Sequence, residues 1–395
     1  MRLTALAGVL AVLLPCAALA KETQEIRSAV IRVGEGNRTP TSRLDLPPSD
    51  VGFAGARLAT DDNQTTGRFM GQTFLTEEVP VATAEEAGAK LEELIAQGTR
   101  FIVTMADADT TLALADRAGD RALVLNAMAR EDRLRNEACR ANLLHTAPSH
   151  AMVADSLAQF LVWKGWRNWF LISGDHAEDL ALADAYRRAA RKFGAKIVEE
   201  RVFEDTGGAR RTDSGHVQVQ KQIPAFTQRA KAHDIVVAAD ENDVFAVHLP
   251  YHTWDARPVA GSAGLRPLTW HPAQEAWGAT QFQNRFERAS NRFMREEDYQ
   301  VWTALRVLGE AATRTKSGEF EVLRDHILGE SFELAAFKGQ KLTFRSWDGQ
   351  LRQPILLTAD RILVSVSPQP EFLHQVSHLD TLGHDRPESA CSLKR

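Results

Sequence analysis

The chain has 395 residues, with 47 basic and 52 acidic side chains and a formal net charge of −5. That length is long enough for two lobes, and the mild acidity offers nucleic acid no general electrostatic attraction, so no nucleic-acid partner is expected. Its three cysteines and 12 histidines show no CxxC or HExxH spacing, so no metal site is expected either.

Residues 1–20 carry a basic start at Arg2, an apolar stretch from Leu3 to Leu14 and a small-residue exit at Ala18-Leu19-Ala20. This order predicts an export signal cleaved after Ala20. Cys16 would be the lipidation acceptor, but Pro15 before it is a poor context. No later stretch is continuously apolar enough to span a bilayer. Cys139 and Cys391 then remain. In an oxidising compartment such a pair reads as a disulfide tethering the C-terminal tail, with two unrelated thiols as the alternative.

Short β-branched runs then alternate with helical ones. Ala29 to Gly34 predicts a strand, Asp50 to about Gln64 a helix, and Gly71 to Leu75 a second strand. Thr83 N-caps a predicted helix through Gln97, with Glu86 completing a capping box. A strand over 100–105, a helix over 107–118 and a strand over 122–125 follow. The same grammar restarts near residue 141: strand 143–146, helix from Ser149 to about Lys164, strand 169–174, helix 177–193 and strand 196–203. Asp205 to Gln222 reads as a surface loop. A helix to Lys231, the strand 235–239 and helices over 281–329 complete the pattern.

The expected fold class is α/β, two doubly wound parallel-sheet lobes joined by a hinge. The expected division is 1–20 signal, 21–141 first part of the N-lobe, 142–265 C-lobe, 266–335 return to the N-lobe, and 336–395 C-lobe, hinge and tail. In open parallel sheets ligands bind beyond the carboxyl ends of the strands. The candidate loops are therefore 36–38 with Asn37 and Arg38, 107–110 with Asp109 and Thr110, 126–130 with Asn126 and Arg130, 174–176 with Asp175, and 240–242. A sixth runs from Gly264 through Arg266 to Trp270, His271 and Trp277. Bland readings stand beside these. Asp107 and Asp109 suit helix caps, His271 a structural hydrogen bond, and Trp163, Trp166 and Trp169 core packing. Arg345, Trp347, Arg352 and Gln353 suit a hinge or lobe-stabilising role.

The pattern as a whole resembles the branched-chain amino-acid type of ABC-transporter binding proteins, the type I periplasmic fold. Within it the chain looks like a subfamily associated with pyrroloquinoline quinone (PQQ)-dependent alcohol oxidation. The stretches that carry this are 142–148, 270–272 through 277–279, 337–340, 344–354, 367–369 with 372–374, and 379–383. Cys391 matches the subfamily's terminal cysteine. The resemblance implies a periplasmic solute-binding protein, a monomer, that hands its ligand to an ABC permease or a periplasmic dehydrogenase. The wider family holds an amino acid's carboxylate with small hydroxyl residues after the third strand. Here that turn reads Met105-Ala-Asp-Ala-Asp-Thr110, which would repel a carboxylate, so the resemblance implies PQQ instead. A flat tricarboxylate wants aromatic faces and forked donors. Asn126, Arg130, Arg266, Trp270 and Trp277 are of those types, with Asn37 and Arg38 as further donors.

No GxSxG elbow, P-loop or GxGxxG fingerprint is present, so catalysis and catalytic cofactors are not expected. Two other readings stay open. One is an importer's receptor for an amino-acid-like or alcohol-derived aromatic solute; the other is a ligand-sensing accessory subunit that docks to a membrane receptor or dehydrogenase.

Overall fold

The computed structural model describes residues 23–34, 46–206 and 218–393. The export signal, Asn37, Arg38 and most of the loop expected over 205–222 lie outside the described residues.

The first lobe is built on five parallel strands in the order β2-β1-β3-β4-β5. These are β1 (Gln24–Val33), β2 (Gln72–Val81), β3 (Phe101–Met105), β4 (Leu123–Asn126) and β5 (Leu143–His145). Alternate residues face opposite cores. Ala29, Ile31, Ile102 and Val124 meet α2 (Ala84–Ala96) and α3 (Ala108–Ala118). Val30, Val103 and Leu125 meet α1 (Phe53–Met70) on the other face. The caps follow local chemistry. Thr83 accepts the Glu86 N–H at 3.2 Å, while the Glu86 carboxylate reaches back to the Ala82 N–H at 2.8 Å, one residue beyond the expected box partner.

The second lobe begins with α4 (His150–Trp163), capped by Ser149, which accepts the Met152 N–H. Its sheet is also parallel, in the order β7-β6-β8-β9: β6 (Asn168–Gly174), β7 (Lys196–Phe203), β8 (Ile235–Ala239) and β9 (Val259–Gly261). On one face α4 and α5 (Ala177–Phe193) cover Trp169, Leu171 and Val237. On the other, α6 (Val219–Thr227) and α7 (Leu249–His252) cover Phe170, Ile172 and Val236.

After β10 (Arg266–Leu268) the chain returns to the first lobe through α8 (Ala279–Ser290), α9 (Glu296–Thr315) and α10 (Phe320–Leu328). Helices α1 and α9 approach closely because Gly55 and Gly309 carry no Cβ. One at Gly55 would sit 2.0 Å from the Asp298 carbonyl, and one at Gly309 1.8 Å from Asn63 Oδ1. Buried Asp298 locks both helix starts, accepting from the Gly52 N–H at 2.7 Å and from Arg292 at 2.7 and 2.9 Å.

Short strands β11 (Leu334–Ala335), β12 (Lys341–Phe344) and β13 (Leu351–Arg352) add Leu334, Leu342 and Leu351 to the first lobe's core. Strand β14 (Ile355–Ala359) pairs antiparallel with β10 on one side and with β15 (Ile362–Ser367) on the other.

Two expected boundaries are corrected. The strand over 143–146, taken as the opening of the second lobe, is β5, paired parallel to β4 at the edge of the first sheet. Within 336–351, assigned to the C-lobe and hinge, Ala336, Leu342 and Leu351 lie in the first lobe's core. A buried three-residue strand is too short for periodicity to say which sheet it joins; here the free edge of β4 takes it.

The segments that cross between lobes are bonded to one another. Gln353 donates to the Thr146 carbonyl at 2.7 Å, Gln350 to that of Ala147 at 3.1 Å, and Thr146 to that of Gln300 at 3.1 Å. Lys338 donates to the Thr269 and Pro354 carbonyls. Arg345 and Arg352, expected to stabilise this region, both donate to Asp380, at 2.9 and 2.7 Å. Cys139 and Cys391 are disulfide-bonded with Cα atoms 5.7 Å apart. No helix among the described residues is long and apolar enough to cross a membrane.

Candidate functional site

A cleft of about 720 Å³ opens between the lobes. It lies where the open-sheet rule puts it, beyond the carboxyl ends of the strands. The first lobe contributes Val33 and Gly34 at the end of β1, 106–109 after β3, and Met128 to Glu131 with Arg133 after β4. The second lobe contributes His150 and Val153 of α4, Glu178, Leu182 and Tyr186 of α5, and Asp240, Glu241 and Asp243 after β8. Gly261 ends β9 and Ser262 follows it. Arg266 to Leu268 of β10 and Glu296, Glu297 and Gln300 of α9 close the hinge side. A second depression, about 610 Å³ along β7 between Arg187 and Lys231, lies on the outer surface of the second lobe and gathers no residues from the first.

Of the expected site residues, the structure brings Asp109, Arg130 and Arg266 to the cleft. Asp109 is exposed and pairs with Arg133 at 2.6 Å. Arg130 pairs with Glu296. The Arg266 side chain makes no hydrogen bond or ion pair among the described residues. Solvent reaches it, yet protein crowds around it: burial lowers its pKa first, the neighbouring Arg130 charge adds to that, and Glu297, Asp243 and Glu241 oppose both.

The others do not line the cleft. Thr110 is buried, and both its N–H and its hydroxyl donate to Asp107, at 2.8 and 2.9 Å. Asn126 is fully buried and shapes its own turn, accepting from the Met128 and Ala129 N–H groups and donating to the Ala129 carbonyl at 2.7 Å. Asp175 is exposed and accepts the Asp205 N–H at 3.3 Å. Trp270 is 1% exposed in the first lobe's core. It stacks on Tyr299 with ring centroids 5.0 Å apart and donates to Gln283 at 3.0 Å. Trp277 is 54% exposed and covers Gly339. Both tryptophans follow β10 into the first lobe, where the apolar face of α8 and α9 claims the first. His271 accepts the Ala273 N–H at 3.1 Å, the structural role expected for it.

Sequence reasoning put Glu241 on a candidate loop without naming it a site residue, and missed Tyr186, Glu131, Glu178 and Glu297. Tyr186 lines the cleft while its hydroxyl, shut from water, has no hydrogen-bond partner among the described residues; burial raises its pKa. The four glutamates are half-buried, and their carboxylates make no hydrogen bond or ion pair among the described residues. Asp240 is different. Burial pushes it up to about 6, against the N–H groups of Val244, Phe245 and Ala246 that it accepts. The cleft therefore holds unpaired charge of both signs, with carboxylates in excess over guanidiniums. Among the described residues no group of three or more potential ligands is placed to hold a metal ion.

Residues 49–359 match the family described as periplasmic binding protein. The chain belongs to the periplasmic binding protein family. Solved structures of this kind share the fold at low identity. A leucine-, isoleucine-, valine-, threonine- and alanine-binding protein from Brucella ovis, in its closed conformation, is 15% identical with a TM-score of 0.73, over 94% of this chain and 99% of that one. An ABC transporter substrate-binding protein from Sphaerobacter thermophilus is 18% identical with a TM-score of 0.70, over 87% and 98%. The solute-binding protein of an ABC transporter from R. palustris, in complex with benzoate, is 12% identical with a TM-score of 0.66, over 93% and 99%. No curated protein matches the sequence. Proteins of this family are exported to the periplasm and bind small solutes for ABC permeases, and they are substrate-binding proteins rather than enzymes.

Proposed function

We propose that this periplasmic binding protein, exported by a signal cleaved after Ala20, is the receptor for a small solute carrying both signs of charge, an amino-acid-like zwitterion. One observation carries the reading. The inter-lobe cleft sets an unpaired guanidinium, Arg266, against unpaired carboxylates at Glu131, Glu178, Glu241 and Glu297. A zwitterion answers both kinds of charge, whereas a simple anion leaves the acidic side unanswered. Leu182, Val153, Met128 and Leu268 supply apolar lining for the remainder of the solute.

PQQ is the second reading, favoured by the presence of Arg130, Arg133 and Arg266 on one cleft. It asks more of the site. Two of those arginines would have to leave Glu296 and Asp109, and the flat ring would find Tyr186 where tryptophans were expected.

The test is a thermal-shift and calorimetric panel on dialysed protein: the twenty amino acids, benzoate, PQQ and spermidine. The proposal expects saturable binding by at least one amino acid, with a rise in melting temperature. Binding of PQQ alone favours the second reading; a panel without any binder overturns the zwitterion reading.

A further inference from the structure

Two polar groups of the cleft, one on β10 and one on α5, are left unanswered, and they share a neighbourhood. The Arg266 guanidinium has no hydrogen bond or ion pair among the described residues. The Tyr186 hydroxyl is buried without a partner on a residue only 1% exposed. Both residues line the same cleft, and both feel the charges of Arg130 and Glu241. We propose that Arg266 and Tyr186 form the seat for the solute's negatively charged group, which makes them the residues that select a carboxylate-bearing ligand.

The competing anion positions are taken. The backbone N–H groups at the start of α3 are an ordinary place for an anion, but Asp107 caps that start by accepting from Thr110 twice, at 2.8 and 2.9 Å. Arg133 is held by Asp109 at 2.6 Å and Arg130 by Glu296. Arg266 is the cleft guanidinium left uncommitted among the described residues. A guanidinium crowded by protein and held by no direct ion pair or hydrogen bond is costly, and so is a buried hydroxyl without an acceptor. A carboxylate removes both costs at once. It receives the forked N–H groups of the guanidinium and the tyrosine O–H, bonds strengthened by charge. Glu241 and Glu297, whose charges act on Arg266, are then left for the solute's cationic group.

This inference rests on the reading of the cleft as a solute site, so its test separates the two. Arg266→Gln and Tyr186→Phe are titrated by calorimetry with whichever amino acid, benzoate or PQQ binds wild type, and with spermidine, which has no carboxylate. The expected result is at least a tenfold loss of affinity for the carboxylate probe in Arg266→Gln and a several-fold loss in Tyr186→Phe. The unliganded melting temperatures should stay close to wild type, since neither side chain has a hydrogen bond or direct ion pair to lose. Unchanged affinity in both variants overturns the proposal, and a loss in Arg266→Gln alone removes Tyr186 from the seat. Wild type that binds spermidine and none of the carboxylates overturns the anionic seat while leaving a solute receptor. Failure of the whole panel on wild type strikes the receptor reading itself.

Discussion

Asp107 accepts two hydrogen bonds from Thr110, one from the backbone N–H at 2.8 Å and one from the hydroxyl at 2.9 Å. The carboxylate at this turn is therefore part of the helix, and the repulsion of a carboxylate ligand expected from the acidic turn becomes occupancy of the site it would use. Asp107→Ala should lower the unfolding free energy by about 1 kcal/mol, the usual worth of a side-chain N-cap. Urea denaturation followed by circular dichroism checks this; unchanged stability would show that the cap is not formed in solution.

Trp270 and Trp277 separate cleanly by the same measurement. Trp270→Ala empties a stacked position beside Tyr299 and Phe282 and should cost about 3–5 kcal/mol. Trp277→Ala removes an exposed ring and should stay within about 0.5 kcal/mol of wild type, with solute affinity unchanged. A specific loss of affinity in Trp277→Ala would return that residue to the site.

Lys338 is buried between crossing segments, donating to the Thr269 and Pro354 carbonyls with no carboxylate partner among the described residues. Burial lowers it to about 7, against about 10.4 in an unfolded chain. Between those values the unfolded chain holds a proton that the folded chain has released, so this lysine makes stability rise with pH across that window. Below about pH 6 both states are protonated and its contribution is flat. Lys338→Met should abolish the rise, measured as the difference in unfolding free energy between wild type and variant from pH 6 to 10. A constant difference would contradict the assignment.

The disulfide joins positions 252 residues apart, yet the tail has other anchors. The Gly383 N–H donates to Asp155 at 2.9 Å, and Arg188 and Lys192 donate to the Gly383 carbonyl at 2.7 and 3.0 Å. Cys139→Ser with Cys391→Ser should therefore cost about 2–5 kcal/mol while the protein stays folded and keeps its solute affinity. Loss of binding would give the tail a role in the cleft.

What the sequence made legible was local. Thr83 and Ser149 announce their helices because a cap needs only its own first turn, and the open-sheet rule located most of the cleft loops without any three-dimensional information. Membership was not local: β5 and the strands around Leu342 and Leu351 could join either lobe until the chain folded. Trp270 misled because a loop position after β10 says nothing about which lobe the next segment enters. Tyr186 stayed hidden for the opposite reason. Its spacing with Leu182, Ala189 and Ala190 reads as a helix's core face, and that is where it is; only the structure shows its hydroxyl left without a partner. Lys338 sat in a distinctive stretch, Phe337 to Gln340, whose role depends on carbonyls contributed from 69 and 16 residues away.

The most direct test is a crystal structure of the protein with the tightest-binding amino acid of the panel. The account predicts density for the solute in the inter-lobe cleft, its carboxylate against Arg266 and its ammonium toward Glu241 or Glu297. A solute bound outside the cleft, or one whose carboxylate sits on the first turn of α3 in place of Asp107, would contradict it.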